Sequence, residues 1–401
     1  MYMYRNTYAE INVDNLQHNV KEIIQKYPDY QYYFGIVKGN AYGHSDKIAK
    51  YLLESGINYL AVASLEEGIS IRKDGVTAPI LCLEPIDIEY IDKCIENDIT
   101  ITVHDILYYK QLMEKDITKP LKVHIKIDSG LCRLGFTKKE EVKEAVDGLR
   151  TKTNVMVEGI FTHFATDGIY DISWDNQYAK FIELTSEIDL SQIPIVHLGR
   201  SQTLLNHDKI PFANGIRLGI ILYGYNTTPK PLSKGFLNTL RKWKRAYYHK
   251  KHHISPTTTQ IDIDLKTAFS LYSEVMQVKE IPKGSFVGYG RIYEAQEDMM
   301  VAIIPIGYAD GFSRKNKGRD VVIRGKRYPL IGDINMGMVI AKVDENVQEK
   351  DKVTLIGEEI PMIEAAKHMQ TSVYEGSCMI NDWVPRVLTK NGEVIEIDER
   401  K

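Results

Sequence analysis

A lysine at position 38 closes an apolar run and is followed at once by small residues, "GIVKGNAYGH" over 35 to 44. Such an ammonium is either a solvated strand end or a nucleophile held in a dry pocket. Other polar residues also end apolar runs. Lys126 and Arg133 stand in "HIKIDSGLCRLGF", His163 in "GIFTHFATD", His197 and Ser201 in "VHLGRSQ", and Arg217 leads "RLGIILYG". Taken singly each is more often structural. An imine-forming amine, however, has to spend time unprotonated, and desolvation beside cations favours that state. Ser201 and the backbone amides of Gly219 and Ile220 suit a phosphate. Lysine plus phosphate site suggests pyridoxal phosphate, the lysine holding the cofactor covalently while the amides anchor its tail.

The elements that must position these groups can be read along the chain. Short apolar runs lie at 32 to 37, 59 to 63, 79 to 83, 99 to 103, 122 to 127, 155 to 161, 194 to 198 and 217 to 224. Between them are helix-like stretches such as "VDNLQHNVKEIIQKY", where Asp14 is the expected cap and Leu16, Val20, Ile23 and Ile24 make an apolar stripe. Eight buried strands with helical connections predict an α/β fold, a parallel (β/α)8 TIM-type barrel, with an open doubly wound sheet as the alternative. In such a barrel the active site lies at the C-terminal ends of the strands, where Lys38, Tyr42, Lys126, Arg133, His163, His197, Ser201 and Arg217 would converge.

After Gly224 the texture changes to a polar linker, a basic insertion at 235 to 256, and β-like alternation with glycine turns. The expected domains are a barrel over 1 to 227 and a mainly β domain over 228 to 401. The insertion reads as a solvated excursion, with an RNA or membrane contact as the other possibility.

Composition sets the outer bounds. The chain has 401 residues, 43% hydrophobic and 26% charged, with formal net charge −3. That balance gives no electrostatic footprint for nucleic acid. Cys82, Cys94, Cys132 and Cys378 show no metal-ligand spacing, so neither a metal site nor a disulfide framework is expected. No apolar run approaches the roughly 20 residues of a membrane span. A cytoplasmic protein with no membrane or nucleic-acid partner is the expectation.

The motifs "VKGNAYGHS", "KIDSGLCRLGF", "GIFTHFAT", "RLGIILYG", "VGYGRIY", "IPIGYADGFSR" and "DINMG", in this order, resemble the alanine racemase family of fold-type III pyridoxal-phosphate enzymes. The likeness runs from "YAEINVDNLQHN" to "VPRVL" and lacks a counterpart for the insertion. It implies a two-base racemase interconverting L- and D-alanine and supplying D-amino acid for peptidoglycan. Lys38 would hold the cofactor and serve one face of the substrate Cα. Tyr289 would serve the other face from the second subunit of a homodimer with shared sites. His163 would lie between Tyr289 and Arg217, Arg217 would meet the pyridine nitrogen, and Arg133 would face the cofactor's phenolate side. Tyr42, Ser201, Gly219 and Ile220 would also bind cofactor, Tyr308 and Met336 would line the substrate entrance, and Lys126 would be carried as a carbamate paired with Arg133. No metal is implied.

Three departures stand out. Cys132 replaces a common glycine, "NMG" at 335 to 337 replaces "CMD", and Asp382 with Trp383 replaces tyrosine and arginine in "CMINDWVPR". Asp382 would open room for serine, or for a lysine or ornithine ammonium. A basic amino-acid decarboxylase shares the architecture, but it needs a carboxylate at the pyridine nitrogen where this chain has Arg217. A cofactor-carrying barrel without catalysis lacks the β domain and Tyr289, and a regulatory protein with a racemase-like body is set against the retained Lys38 and Tyr289.

Overall fold

The computed structural model describes residues 4–168, 172–227, 236–252 and 262–399. The chain divides into two compact units. One comprises Gln17–Lys38 and Ala49–Leu265; the other comprises Met1–Leu16, Gly39–Ile48 and Lys266–Lys401.

The first strand, β1 (Tyr8–Asn12), belongs to the second unit. The helix α1 (Val13–Lys26) follows it directly, and the Asn12 side chain caps it by accepting from the Asn15 amide at 2.9 Å. Asp14, the expected cap, instead accepts from the amide of Asn391 at 2.6 Å. Asparagine one residue before the helix has the non-helical backbone that capping needs.

Eight parallel strands follow: β2 (Tyr32–Ile36), β3 (Tyr59–Val62), β4 (Ile80–Cys82), β5 (Ile99–Val103), β6 (Leu121–Lys126), β7 (Val155–Phe161), β8 (Ile195–His197) and β9 (Gly215–Leu218). Seven of the eight seams are paired ladders, in the order β8-β7-β6-β5-β4-β3-β2-β9, with one register shift between β6 and β7 at Val123/His124. The last, between β8 and β9, is nearly closed by single bonds. The Asn214 amide donates to the Val196 carbonyl at 3.1 Å, and the Arg217 amide to the Gly199 carbonyl at 3.2 Å. The strands are buried along their lengths, as strands covered on both faces must be. Phe34, Tyr59, His124, Phe161 and His197 pack against one another, so the interior is filled rather than hollow.

The run 217 to 224 splits in two, because β9 ends at Leu218 and Ile220–Tyr223 form one 3-10 turn closed by Gly224 in the left-handed region. A short apolar run fits either element by periodicity, and the glycines at each end of this turn decide it. Within the basic insertion, Phe236–His252 form a helix that leaves Phe236, Leu240, Trp243 and Tyr247 exposed; the rest of the insertion lies outside the described residues.

The second unit is built on one ten-stranded sheet. Its strands are β1 together with β10 (Phe269–Glu274), β11 (Gln277–Ile281), β12 (Met299–Ile304), β13 (Asp320–Ile323), β14 (Lys326–Ile331), β15 (Val339–Val343), β16 (Lys352–Ile356), β17 (Arg386–Lys390) and β18 (Glu393–Asp398). The order is β11-β12-β15-β14-β13-β16-β10-β1-β17-β18, so β1 is an interior strand, antiparallel to β10 and parallel to β17. A single cut at 227/228 therefore does not describe the units, since the N-terminal strand completes the second sheet.

Candidate active site

The barrel unit gathers most of the expected groups at the C-terminal ends of its strands. Lys38 lies two residues beyond β2 and is half-buried. Lys126 is the last residue of β6 and only 5% exposed. Burial first, and then the charges of Arg133, Arg217 and Lys38, bring its pKa down to about 8. Its ammonium sits 5.5 Å from the centre of the Phe161 ring. Arg133 projects from a loop whose shape is set by the Asp128 carboxylate, which accepts from the amides of Gly130, Cys132 and Arg133 at 2.9, 3.0 and 2.9 Å. Cys132 there has φ 57°, the left-handed region where a glycine is at ease, so the departure from the family pattern carries backbone strain.

His163 follows β7. Burial, with Arg217, Arg200, Arg133 and Lys126 nearby, holds its pKa well below the ordinary value, so its imidazole is neutral. Ser201 begins the short helix after β8, and its hydroxyl oxygen accepts from the amide of Gly219 at 2.9 Å. That bond spends the Gly219 amide but leaves the serine proton free to donate elsewhere.

Arg217, 3% exposed, is the most constrained group. One terminal nitrogen donates to His197 Nδ1 at 2.9 Å and to the His197 carbonyl at 2.5 Å. The other donates to the carbonyls of Thr162 and Leu198 at 2.6 and 3.0 Å. A guanidinium has five N–H bonds, so these contacts occupy its four terminal protons and leave Nε–H without an acceptor among the described residues. Burial lowers the Arg217 pKa to about 9, which still leaves a cation at neutral pH.

Several groups were missed from the sequence. Arg200 forms a 2.5 Å ion pair with Asp167, which is buried, and Thr203 donates to the same carboxylate. Behind Arg217, His197 Nε2 lies 2.9 Å from His124 Nδ1, and His124 Nε2 lies 3.1 Å from Glu158. Glu158 also accepts from the Tyr59 hydroxyl at 2.6 Å. Polar residues at every second position of β6 (Lys122, His124, Lys126) were the available signal, since they share one face of a strand otherwise made of apolar side chains.

In the second unit, Gly39, Asn40, Ala41 and Tyr42 all adopt left-handed φ and ψ, with φ 63°, 50°, 52° and 55°. This conformation costs about 1–2 kcal/mol for each residue that is not glycine, and the surroundings hold it. Asn40 donates to Asp382 Oδ1 at 3.1 Å and accepts from the Asp46 amide at 2.8 Å. The Gly43 carbonyl accepts from Arg386 Nε at 3.0 Å, and a Cβ on Gly43 would lie 2.3 Å from the Ser377 carbonyl oxygen. Asp382 is therefore tied to the turn that begins after Lys38; its side chain remains 65% exposed.

Tyr289 stands on a tight loop between Phe286 and Glu294, closed by the Val287 amide on the Tyr293 carbonyl at 2.9 Å, and is 76% exposed. Tyr308 and Met336 are brought together, because the Tyr308 and Ala309 amides donate to the carbonyls of Asn335 and Met336 at 3.0 and 2.9 Å. Both side chains are exposed. No helix of the described residues is long and apolar enough to cross a membrane, and none of their His, Cys, Asp and Glu clusters is arranged to hold a metal.

Arg217→Lys removes the fork and leaves buried acceptors without donors. Each costs about 1–3 kcal/mol, so a loss of at least about 2 kcal/mol of unfolding free energy is expected, seen as a lower urea midpoint. An unchanged midpoint would show that the four contacts are not holding the seam.

The family model "Alanine racemase, N-terminal domain" matches residues 11–227, and "Alanine racemase, C-terminal domain" matches 268–388. Alanine racemase 1 of Bacillus subtilis (strain 168) is 34% identical, over 98% of this chain and 96% of its own length. The alanine racemase of Halalkalibacterium halodurans is 33% identical over 99% and 98%. The crystal structure of alanine racemase from Bacillus anthracis with bound L-Ala-P superposes with a TM-score of 0.86 at 32% identity, covering 99% of this chain and 98% of that one. The chain belongs to the alanine racemase family.

Proposed function

We propose that this chain is a pyridoxal-phosphate-dependent racemase acting on alanine at a site built around Lys38. The observation that carries the reading is Arg217. Its four terminal N–H bonds are held by His197 and backbone carbonyls, and its Nε–H is left for a ring nitrogen. The residues fit the cofactor. Lys38 would bind it covalently, Tyr42, Ser201 and the amide of Ile220 would take its phosphate, with Gly219 orienting the Ser201 hydroxyl, and Arg133 and His163 would flank its ring. When bound, the cofactor supplies the electron sink that acidifies the substrate Cα. An arginine that stays protonated at neutral pH gives up no proton to the ring nitrogen, which is the reason to prefer racemisation to the decarboxylase reading.

Racemisation takes a proton from one face of Cα and returns one to the other, so two opposed bases are needed. Lys38 is the first and the partner subunit's Tyr289 the second, with neutral His163 between Tyr289 and Arg217. Support for the dimer comes from the second unit, where Phe286, Tyr289, Ile292, Tyr308, Met336 and Met338 are all at least 42% exposed. Apolar and aromatic surface gathered on one domain marks a binding face.

Mixing inactive Lys38→Ala with inactive Tyr289→Phe subunits should restore about one quarter of the sites after random exchange, because each hybrid dimer regains one intact site. No recovery despite demonstrated exchange would exclude shared sites.

Lys126 is proposed to be carried as a carbamate, giving Arg133 an anionic partner. Only the neutral amine can attack the carbon of carbon dioxide, and the new C–N bond forms with loss of a proton from nitrogen, so occupancy should rise with pH through about 8. Carbon-13 spectra in labelled bicarbonate should show a carbamate resonance that Lys126→Ala removes; its persistence in that variant would reject the assignment.

Asp382 supports a second reading in which serine, or a basic amino acid, is also accepted, since a short exposed acceptor leaves room for and can bond such side chains. Asp382→Tyr should then lower the serine-to-alanine or lysine-to-alanine ratio of kcat/KM by about tenfold, or about 1.4 kcal/mol. An unmoved ratio leaves alanine as the substrate.

A further inference from the structure

We propose that Glu158 is a positioning residue for Arg217, acting through His124 and His197, each locked in a single tautomer. The inference rests on the proposed function only for the role given to Arg217. The proton positions follow from the two ends of the chain. A guanidinium can only donate, so His197 Nδ1, 2.9 Å from Arg217, must be an acceptor. A carboxylate can only accept, so His124 Nε2, 3.1 Å from Glu158, must carry a proton. Between them, His197 Nε2 and His124 Nδ1 are 2.9 Å apart and only one proton fits. If His197 is to keep a proton at all it is on Nε2, which then donates to His124 Nδ1. Every bond therefore points the same way, from Arg217 through His197 and His124 to Glu158. An imidazolium at either ring would set two N–H groups head to head.

The packing leaves the rings no alternative. His197 lies flat between Phe34, 4.5 Å away at 9°, and Phe161, 4.7 Å away at 17°, so only its edge can meet polar partners. His124 lies against Gly159 of the neighbouring strand, where a Cβ would come within 2.4 Å of the imidazole. Both rings are fully buried, and burial pushes both pKa values down. Burial would raise the Glu158 carboxyl, but the bonds from His124 and Tyr59 and the charge of Lys122, 3.5 Å away, oppose it and hold it below its ordinary value. Lys122, His124 and Lys126 share one face of β6, so the chain runs down the barrel away from the rim. Glu158 thus acts as a counter-charge for a buried cation that it does not touch, and polarised hydrogen bonds carry the effect.

Nitrogen-15 spectra of the full-length, histidine-labelled protein, assigned with His124→Asn and His197→Asn, test the proton positions without reference to activity. Both rings should be neutral, protonated at Nε2, and unchanged from about pH 6 to about pH 9. Glu158→Leu removes the terminal acceptor. It should mix the His124 tautomers and lower kcat for alanine about tenfold while KM stays within about twofold. Glu158→Gln keeps an acceptor oxygen and should hold both tautomers and recover part of the rate; it also serves if the leucine variant does not fold. Either ring titrating near its ordinary value, or carrying its proton on Nδ1, overturns the proposal. So does an unchanged kcat in Glu158→Leu, or, if that variant does not fold, an unchanged kcat in Glu158→Gln. If the wild type racemises no amino acid, the proposed function falls, and the spectra still decide the tautomers.

Discussion

A guanidinium taken almost wholly out of water is the constraint on which the barrel's polar interior depends. Desolvating such an ion costs several kcal/mol, and the cost is met only if its protons find well-placed acceptors. Arg217 finds them at the one seam of the barrel that is not a continuous ladder. The carbonyls of Thr162, His197 and Leu198 come from the ends of β7 and β8, where strand pairing has stopped and backbone oxygens are available. The irregular seam and the buried arginine thus explain each other, because a continued β8-β9 ladder would have used the Leu198 region for strand pairing. His197 then needs a partner for its second nitrogen, and the demand passes inward to His124 and Glu158.

Strain is concentrated beside Lys38. Four consecutive left-handed residues follow it, three of them with side chains. Such a turn persists only where its surroundings over-determine it, and such places tend to be functional. Here Asn40 is a residue tolerant of the conformation, and its amide bonds both Asp382 and the Asp46 amide. Gly43 lets the Ser377 carbonyl approach where any side chain would collide. The chain leaves the barrel unit after Lys38 and re-enters it at Ala49. The lysine is therefore fixed on one side by a strand and on the other by a turn that cannot relax, as a reacting amine requires.

The strand count and the rim positions were legible because buried parallel strands write themselves as short apolar runs, and polar residues at their ends interrupt the pattern. The membership of β1 was not legible, since "YAEIN" alternates like any half-buried strand and its partners β10 and β17 lie more than 250 residues away. The capping exchange between Asn12 and Asp14 was also hidden, because two capping residues separated by one position give the same local signal. Motif resemblance named Lys38, Arg217 and Tyr289, yet it was silent on Glu158 and Asp167, whose importance comes from what they touch across strands. The Ser201 hydroxyl bonding the Gly219 amide illustrates the same limit: residues legible as neighbours of one anion turn out to be partners of each other.

The rim is rich in positive charge. Lys38, Lys126, Arg133, Arg200 and Arg217 lie in one unit, and each of Arg133, Arg217 and Lys38 lowers the pKa of Lys126. Asp167 answers Arg200 directly, and Glu158 answers Arg217 through two neutral rings. Lys126 faces three cations against the single carboxylate of Glu84, so the folded rim favours any change that adds negative charge there. A phosphate dianion and a carbamate are two such changes, and each should strengthen the hold on the other groups by lowering the same repulsion. The neutrality of His163 follows from burial first and from this crowding next, because a further proton beside Arg217, Arg200, Arg133 and Lys126 would raise the energy of all of them. A ring kept neutral among four cations can accept a hydrogen bond from a neighbouring hydroxyl or pass one on, which a charged imidazolium, with both nitrogens donating, cannot do.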